Sequence, residues 1–344
     1  MLKKILSILC LFLPGSSFAQ FDTAFYIKYS DMLGVGVFQS IRDNAITFEK
    51  LNLPDSLFHT VSYNVNGKAI TGFFLDYDKI YFAFGFKTVQ NDNDMRKGTT
   101  DISSYVVQLG TNKLILEGGY RRYRGFYDES TPNYIAPFMD STLYYQDKSL
   151  EDKVTKIKAL YFLNHKKFSY NSSYFGSYRQ LKSAMSWTFG GNFYYNKIKS
   201  DTSLIPYYAR SVFNEYGYLD QVRVTGFSLG GGGSGNLVIG KRFFLNLTIT
   251  LGLEPQWRRY HFLTGEATSP CYISFASDIR TSLGFNSRKF YFLISSINDL
   301  TYNNSKSLNI SGAFLNGTIS IGWRFHLENK GTKWLKENKL YKMI

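Results

Sequence analysis

The chain has 344 residues, 40 Lys and Arg against 26 Asp and Glu, a formal net charge of +14, and 18% aromatic residues including 27 Tyr and 30 Phe. Its two cysteines, Cys10 and Cys271, leave one after the expected leader cleavage, which excludes a disulfide-stapled fold. No apolar run beyond the leader approaches the ~20 residues of a spanning helix.

The chain begins MLKKILSILCLFLPGSSFAQ. Lys3 and Lys4 precede the apolar run Ile5 to Leu13, and Ser17-Phe18-Ala19 supplies small residues before a cut at Gln20. This pattern predicts a secretory leader over 1–19. Cys10 lies inside the apolar run, so it is not a lipoprotein cysteine. Export also argues against nucleic acid as the partner of the basic surface. Anionic lipid headgroups or an anion-lined lumen remain.

From residue 20 the dominant signal is alternation with a period of two, the signature of strands with two different faces. Leu33, Val35 and Val37 alternate with Gly34, Gly36 and Phe38, and Arg42-Asp43-Asn44 reads as a turn before Ile46 and Phe48. Asn66-Gly67 and Asp78-Lys79 read as turns flanking Phe73, Leu75 and Tyr77. Phe82, Phe84 and Phe86 share a face, then Tyr105, Val107 and Leu109, closed by a turn at 110–112. Leu114, Leu116, Gly118 and Tyr120 run into RRYRGFY, and a polar stretch at about 128–153 reads as a loop outside the barrel. Ile157, Ala159, Tyr161 and Leu163 precede a turn at 164–167, and Phe168-Ser169-Tyr170 reads as the start of another strand.

Met185, Trp187, Phe189, Phe193 and Tyr195 then share one face, and a second long connection is expected at about 197–220. Thr225, Phe227 and Leu229 follow. In Phe243 to Leu251, Phe243, Leu245, Leu247, Ile249 and Leu251 are expected to meet lipid, and Asn246, Thr248 and Thr250 the lumen, where an arginine at Thr248 would be mild. The strand Ala313 to Phe325 puts Leu315, Ile319, Ile321, Trp323 and Phe325 on one face and Asn316, Thr318, Ser320 and Arg324 on the other. The pattern predicts an all-β fold: one transmembrane antiparallel β-barrel over 20–325, of about twelve strands with ten to fourteen allowed. One difficulty remains. If the turns at 110–112, 164–167 and 239–242 share one side, the strands between 168 and 238 do not close in parity.

Several segments resemble a known family: DTAFYIKYSD at 22–31, RRYRGFY at 121–127, NHKKFSYNSSYF at 164–175, RQLKSAMSWTFGG at 179–191, GFNSRKFYF at 284–292 and IGWRF at 321–325. The chain resembles the uncharacterised outer-membrane β-barrel proteins of Bacteroidota, whose domain has no assigned function. The resemblance implies the barrel fold and the outer membrane, with outer-membrane lipid, lipopolysaccharide and the barrel-insertion machinery as partners. It implies no activity.

Motifs with chemistry are few. Gly230, Gly232 and Gly235 fit a dinucleotide glycine pattern, and Gly235, Gly240 and Lys241 a phosphate loop lacking its Ser or Thr. Both need a following helix, and a strand follows, so these glycines mark a bend in the barrel. His59, His165, His261 and His326 lack metal-ligand spacing, so no metal and no cofactor is expected. No catalytic residue stands out. A lipid hydrolase or acyltransferase remains the alternative to a protein without enzymatic activity. The functional candidates are Arg121, Arg122 and Arg124 near one strand end and Arg258 and Arg259 between Trp257 and Tyr260, read as a rim for anions or lipopolysaccharide phosphate. The expected function is a pore for small polar or anionic solutes, with a lumen-plugged structural or surface-binding barrel as the alternative. The tail 326–344 carries Lys330, Lys333, Lys336, Lys339 and Lys342, with Trp334, Tyr341 and Ile344 compatible with one helical stripe.

Overall fold

The structure is a computed structural model, and it describes residues 21–50, 60–67, 69–88, 95–134, 143–268, 271–302 and 308–343. The leader at 1–19 and His59 lie outside the described residues.

Twelve strands form one closed antiparallel barrel, numbered β1–β12 here. They are β1 Met32–Lys50, β2 Ala69–Tyr77, β3 Ile80–Lys87, β4 Asp101–Gly110, β5 Leu114–Asp128 and β6 Tyr145–Phe162, then β7 Ala184–Lys199, β8 Leu219–Ile239, β9 Phe243–Phe262, β10 Tyr272–Asn286, β11 Phe290–Tyr302 and β12 Leu308–His326. Each pairs with its neighbours in chain order, and β12 closes on β1 from His326 against Met32 to Leu308 against Lys50. Closure leaves no strand edge, the condition for strands to cross lipid.

The outward face follows the alternation in the sequence. On β9, Phe243, Leu245, Leu247, Ile249, Leu251 and Leu253 are exposed, while Asn246 and Thr248 are fully buried and Thr250 nearly so. The ten residue steps from Phe243 to Leu253, at a ~3.4 Å rise and a ~40° tilt, give an apolar band roughly 26 Å tall, the ~25 Å height of an outer-membrane belt. On β12, Leu315, Ile319, Trp323 and Phe325 face out and Arg324 faces in. Phe243, Phe285, Phe290 and Trp323 make an aromatic girdle at one edge, with ring centroids 5.2, 6.3 and 5.4 Å apart in succession.

Three sequence expectations are corrected. Residues 42–44 are not a turn: β1 runs straight through them for 19 residues, because Arg42 and Asn44 are inward lumen positions. Residues 145–153 belong to β6, so the loop before it is shorter than 128–153. Phe168-Ser169-Tyr170 is not a strand. Residues 163–183 form one long connection that returns into the barrel, with a short helix Asn171–Tyr174 and a short strand Tyr178–Gln180 paired to Tyr26–Lys28. Only β7 and β8 then lie between the turns at 164–167 and 239–242, and the parity closes.

The turns 78–79, 111–113, 240–242 and 287–289 share one end with the connection 163–183 and the helices after β12, and the connections after β1, β3, β5, β7, β9 and β11 share the other. Short turns mark the periplasmic end of such barrels and long loops the outer end. The β8–β9 pair is tightly coiled: a Cβ added at Gly232 would lie 1.8 Å from the Ile249 carbonyl oxygen. The nucleotide-like glycines are thus a barrel bend, as their strand context predicts.

Candidate functional site

Described residues fill the lumen toward both ends, and the site is what lies between. At the periplasmic end the connection 163–183 enters the lumen as a plug. Its side chains and carbonyls bond to strands all round the wall. Gln108 on β4 donates to Asn171 (3.0 Å), Ser173 donates to Asn236 on β8 (2.7 Å), and Tyr174 donates to Asn246 on β9 (2.8 Å). Asn286 on β10 donates to the Ser172 and Tyr178 carbonyls (3.1 and 3.0 Å), and Arg324 on β12 donates to the Gly176 carbonyl. The sequence folds this way because small polar residues of the plug, Ser169 to Ser173, find lumen-facing Asn, Gln and Ser at matching heights. Every buried polar group needs such a partner.

The plug's deepest anchor is Tyr170. Its hydroxyl accepts from Arg280 Nη1 (2.6 Å), and Arg280 also bonds Glu117 (2.9 Å) and Asp278 (2.8 Å). Lys158 pairs with Asp278. All but Glu117 are buried. Glu117, on β5, faces inward and lines the same space. A buried charge is tolerated when paired and hydrogen-bonded, as here.

At the outer end the seal is apolar. Phe48, Val61, Tyr63, Leu150, Ile198 and Val222 point inward and pack on Leu204, Ile205, Ala209 and Phe213 of the connection 200–218. That connection is tied down by Tyr208, which donates to Asp128 (2.6 Å), and by Ser203, which donates to the Gly217 carbonyl (2.7 Å).

Between the seals is a polar chamber. Its larger part has a volume of about 180 Å³ and is lined by Arg42, Arg121, Lys156, Lys158 and Arg280, with Tyr81 and Phe314 as aromatic walls. A contiguous part of about 140 Å³ reaches Asp152, Glu254 and Arg258. The acids there already have donors: Asn44 to Asp152 (2.8 Å), and Tyr194 and Gln256 to Glu254 (3.1 and 2.8 Å). Two of the cations, Arg121 and Arg42, are less completely engaged. Arg121 stacks 3.6 Å above the Phe314 ring. Arg42 is buried and donates through Nε to Asn316 (3.3 Å), and its Nη1 has no partner among the described residues. Among the described residues no three His, Cys, Asp or Glu side chains come together as metal ligands.

The five candidate arginines do not form one rim. Arg121 and Arg258 face the chamber, Arg258 being buried and donating to Gln256 (3.2 Å). Arg122, Arg124 and Arg259 face outward, and Arg122 pairs with Glu151 (2.5 Å). The sequence carried the signal for this split, since adjacent residues on a strand point to opposite faces. Arg42, Lys156, Lys158 and Arg280 were missed as chamber residues; a charge on the inward parity of an otherwise regular strand is the mark that would have found them.

The tail does not enter the lumen. It forms two short helices, Lys330–Glu337 and Lys339–Met343, broken at Asn338. The predicted stripe is therefore split: Trp334 is exposed while Tyr341 is buried against the 78–79 turn. Tyr341 donates to Asp78 (2.7 Å), Lys79 donates to the Tyr341 carbonyl (3.0 Å), and Lys336 pairs with Asp31. Burial, then the bond to Asp78, pushes the Tyr341 phenol well above its ordinary range, so it stays protonated. The Lys336 bond lowers the Asp31 carboxyl.

A model of the family described as "Domain of unknown function (DUF4421)" matches residues 20–325. The chain belongs to this family. The match spans the whole barrel and stops one residue before the end of β12. No curated protein is significantly similar in sequence. Similar solved structures include the outer membrane protease OmpT from Escherichia coli, at 7% identity, TM-score 0.35, and coverage of 87% of this chain and 97% of the other. The translocator domain of the autotransporter NalP from Neisseria meningitidis gives 9% identity, TM-score 0.37, and coverage of 94% and 95%. An outer membrane channel from Pseudomonas putida F1 gives 11%, 0.35, and coverage of 91% and 99%.

Proposed function

We propose that this DUF4421 barrel is closed at rest and takes a small anionic solute into its chamber, with the plug 163–183 as the element that moves. The observation that carries the reading is the plug's polar attachment. It is held in the lumen by hydrogen bonds from β4, β8, β9, β10 and β12 and by the Arg280–Tyr170 contact. The chamber behind it holds Arg42 with an unpartnered Nη1 and Arg121 on an aromatic face, while Asp152 and Glu254 each already accept from a neighbouring side chain. A small anion there would gain charge-assisted bonds from these two guanidinium groups. The pore for small polar or anionic solutes expected from the sequence is read here as a gated one, because the lumen is filled at rest. His165, His261 and His326 stand at the barrel ends, away from the chamber, which favours solute binding over lipid hydrolysis or acyl transfer.

Planar-bilayer recording tests this. The full chain is expected to give little steady conductance. A variant with residues 167–182 replaced by a short turn is expected to conduct steadily and to prefer anions. A large steady current through the full chain would overturn the reading.

A further inference from the structure

The outward arginines belong to a feature that no single stretch of sequence contains. Arg122 on β5 is the register partner of Lys153 on β6, Lys153 of Lys197 on β7, Lys197 of Arg223 on β8, and Arg223 of Arg259 on β9. Five consecutive strands therefore carry five cations in one unbroken row across the tilted sheet, all on the outward face. Neighbouring strands are ~4.8 Å apart, so the row spans roughly 19 Å. Among the described residues one carboxylate is paired to it, Glu151, bonded to Arg122 and Lys153 (2.5 and 2.6 Å). Arg223 Nε has no acceptor among the described residues. Like charges directly opposite one another destabilise a sheet, so the barrel carries this row at a cost that an external anion would remove.

Its height says which anion. Directly below it, by the same register, run Tyr105, Tyr120, Thr155, Tyr195, Thr225 and Trp257. Below those come Ile157, Phe193 and Phe227, then Leu116, Ala159, Leu229 and Leu253. An aromatic girdle above an apolar belt marks the membrane interface, here at the long-loop, outer end. A ligand on the row thus has its acyl chains along the belt and its charge at the cations. Arginine forks and lysine points, repeated across strands, suit phosphate oxygens.

We propose that the row Arg122–Lys153–Lys197–Arg223–Arg259 holds the phosphates of a phosphorylated glycolipid of the outer leaflet, the lipopolysaccharide class, against one wall of the barrel. The site is on the outside and is independent of the chamber and the plug.

The full chain is reconstituted in phosphatidylcholine vesicles containing diphosphoryl lipid A, and lipid retained on re-solubilisation is measured. Arms with dephosphorylated lipid A, phosphatidylglycerol and excess inorganic phosphate run alongside. The wild type is expected to retain diphosphoryl lipid A selectively. The fivefold Gln variant should retain it about tenfold less or lower, and free phosphate should not compete. K197Q/R223Q, at the centre of the row, gives the same comparison if the fivefold variant does not fold. This pair should also melt higher than wild type in zwitterionic detergent and lose that advantage in lipid A vesicles. Equal retention by wild type and K197Q/R223Q would overturn the proposal. So would retention of phosphatidylglycerol as strong as that of lipid A, or displacement by inorganic phosphate, which would make the row a general anion surface.

Discussion

The two ends of the lumen are closed by different balances of apolar packing and hydrogen bonding. The outer seal is side chains such as Phe48, Leu150, Ile205 and Phe213, all fully buried in one apolar cluster. Burying each such side chain is worth about 1.5–3 kcal/mol, and nothing in water replaces it. The periplasmic seal packs Phe168 and Tyr170 on Ile115, Leu160 and Phe162 in a smaller apolar cluster and adds a ring of Ser, Asn, Gln and Tyr bonded to the wall. Each such bond contributes a net ~0.5–1.5 kcal/mol, because water restores most of it when the bond opens. The difference teaches which end can open. The plug buries the smaller apolar cluster, and its many hydrogen bonds can be replaced by water when it leaves, whereas the outer seal would lose the larger apolar contact.

The sharpest test of that asymmetry is Arg280→Met. It removes the cation that joins Glu117 and Asp278 to Tyr170, leaving half-buried Glu117 without that partner and buried Asp278 with Lys158 alone, at an expected cost toward the lower end of about 3–5 kcal/mol. Urea unfolding in detergent reads the loss, and bilayer recording should reveal current bursts as the plug detaches. Stability unchanged within error would mean that the cluster does not anchor the plug.

Phe213→Ala addresses the other seal. It should cost about 3 kcal/mol by the same unfolding assay, through a cavity in a fully buried cluster. The barrel should stay electrically silent because the plug remains in place. Steady current from this variant would reverse the assignment of the movable end.

Tyr174→Phe deletes one plug bond, to Asn246, and should cost about 1 kcal/mol. Hydrogen exchange of residues 168–180 should speed up while that of the 200–218 connection is unchanged.

The smallest effect concerns the tail that braces the plug end. Asp31 is lowered by its bond to Lys336, so its contribution is present above the ordinary carboxylate range and is lost as pH falls through its depressed value. Asp31 is half exposed, so solvent screening keeps the effect small. Protease cutting within 330–343 is expected to increase only on acidification below that range. Cutting that increases on mild alkalinisation instead would break the link to Asp31, because the Tyr341 phenol is held protonated there.

One consequence of the filled lumen revises an expectation drawn from alternation. Thr248 is fully buried and shares hydrogen bonds with Ser234 and Asn246 beside the plug. An arginine there would meet plug and wall together, so it is not a mild substitution, although Thr248 does face the lumen as its parity requires.

What the sequence determined by itself was the local, two-faced character of each strand. Phe243 to Leu251 and Ala313 to Phe325 declare their faces because side-chain direction alternates along a strand whatever its neighbours are. The barrel, the glycine bend at Gly230 and Gly232 and the turn at Asp78-Lys79 were legible for the same reason: each follows from residues close in the chain. The opposite faces of Arg121 and Arg122 were also fixed there, by parity alone. Tertiary structure decided everything that depends on register and closure. Phe168 to Tyr170 reads as a strand locally and became a plug because wall partners far along the chain, Gln108, Asn236 and Asn286, stand at its height. Lys153, Lys197 and Arg223 are unremarkable in their own segments. They become one row with Arg122 and Arg259 only when five strands align, since hydrogen-bond pairing between strands sets their heights and no single strand encodes it.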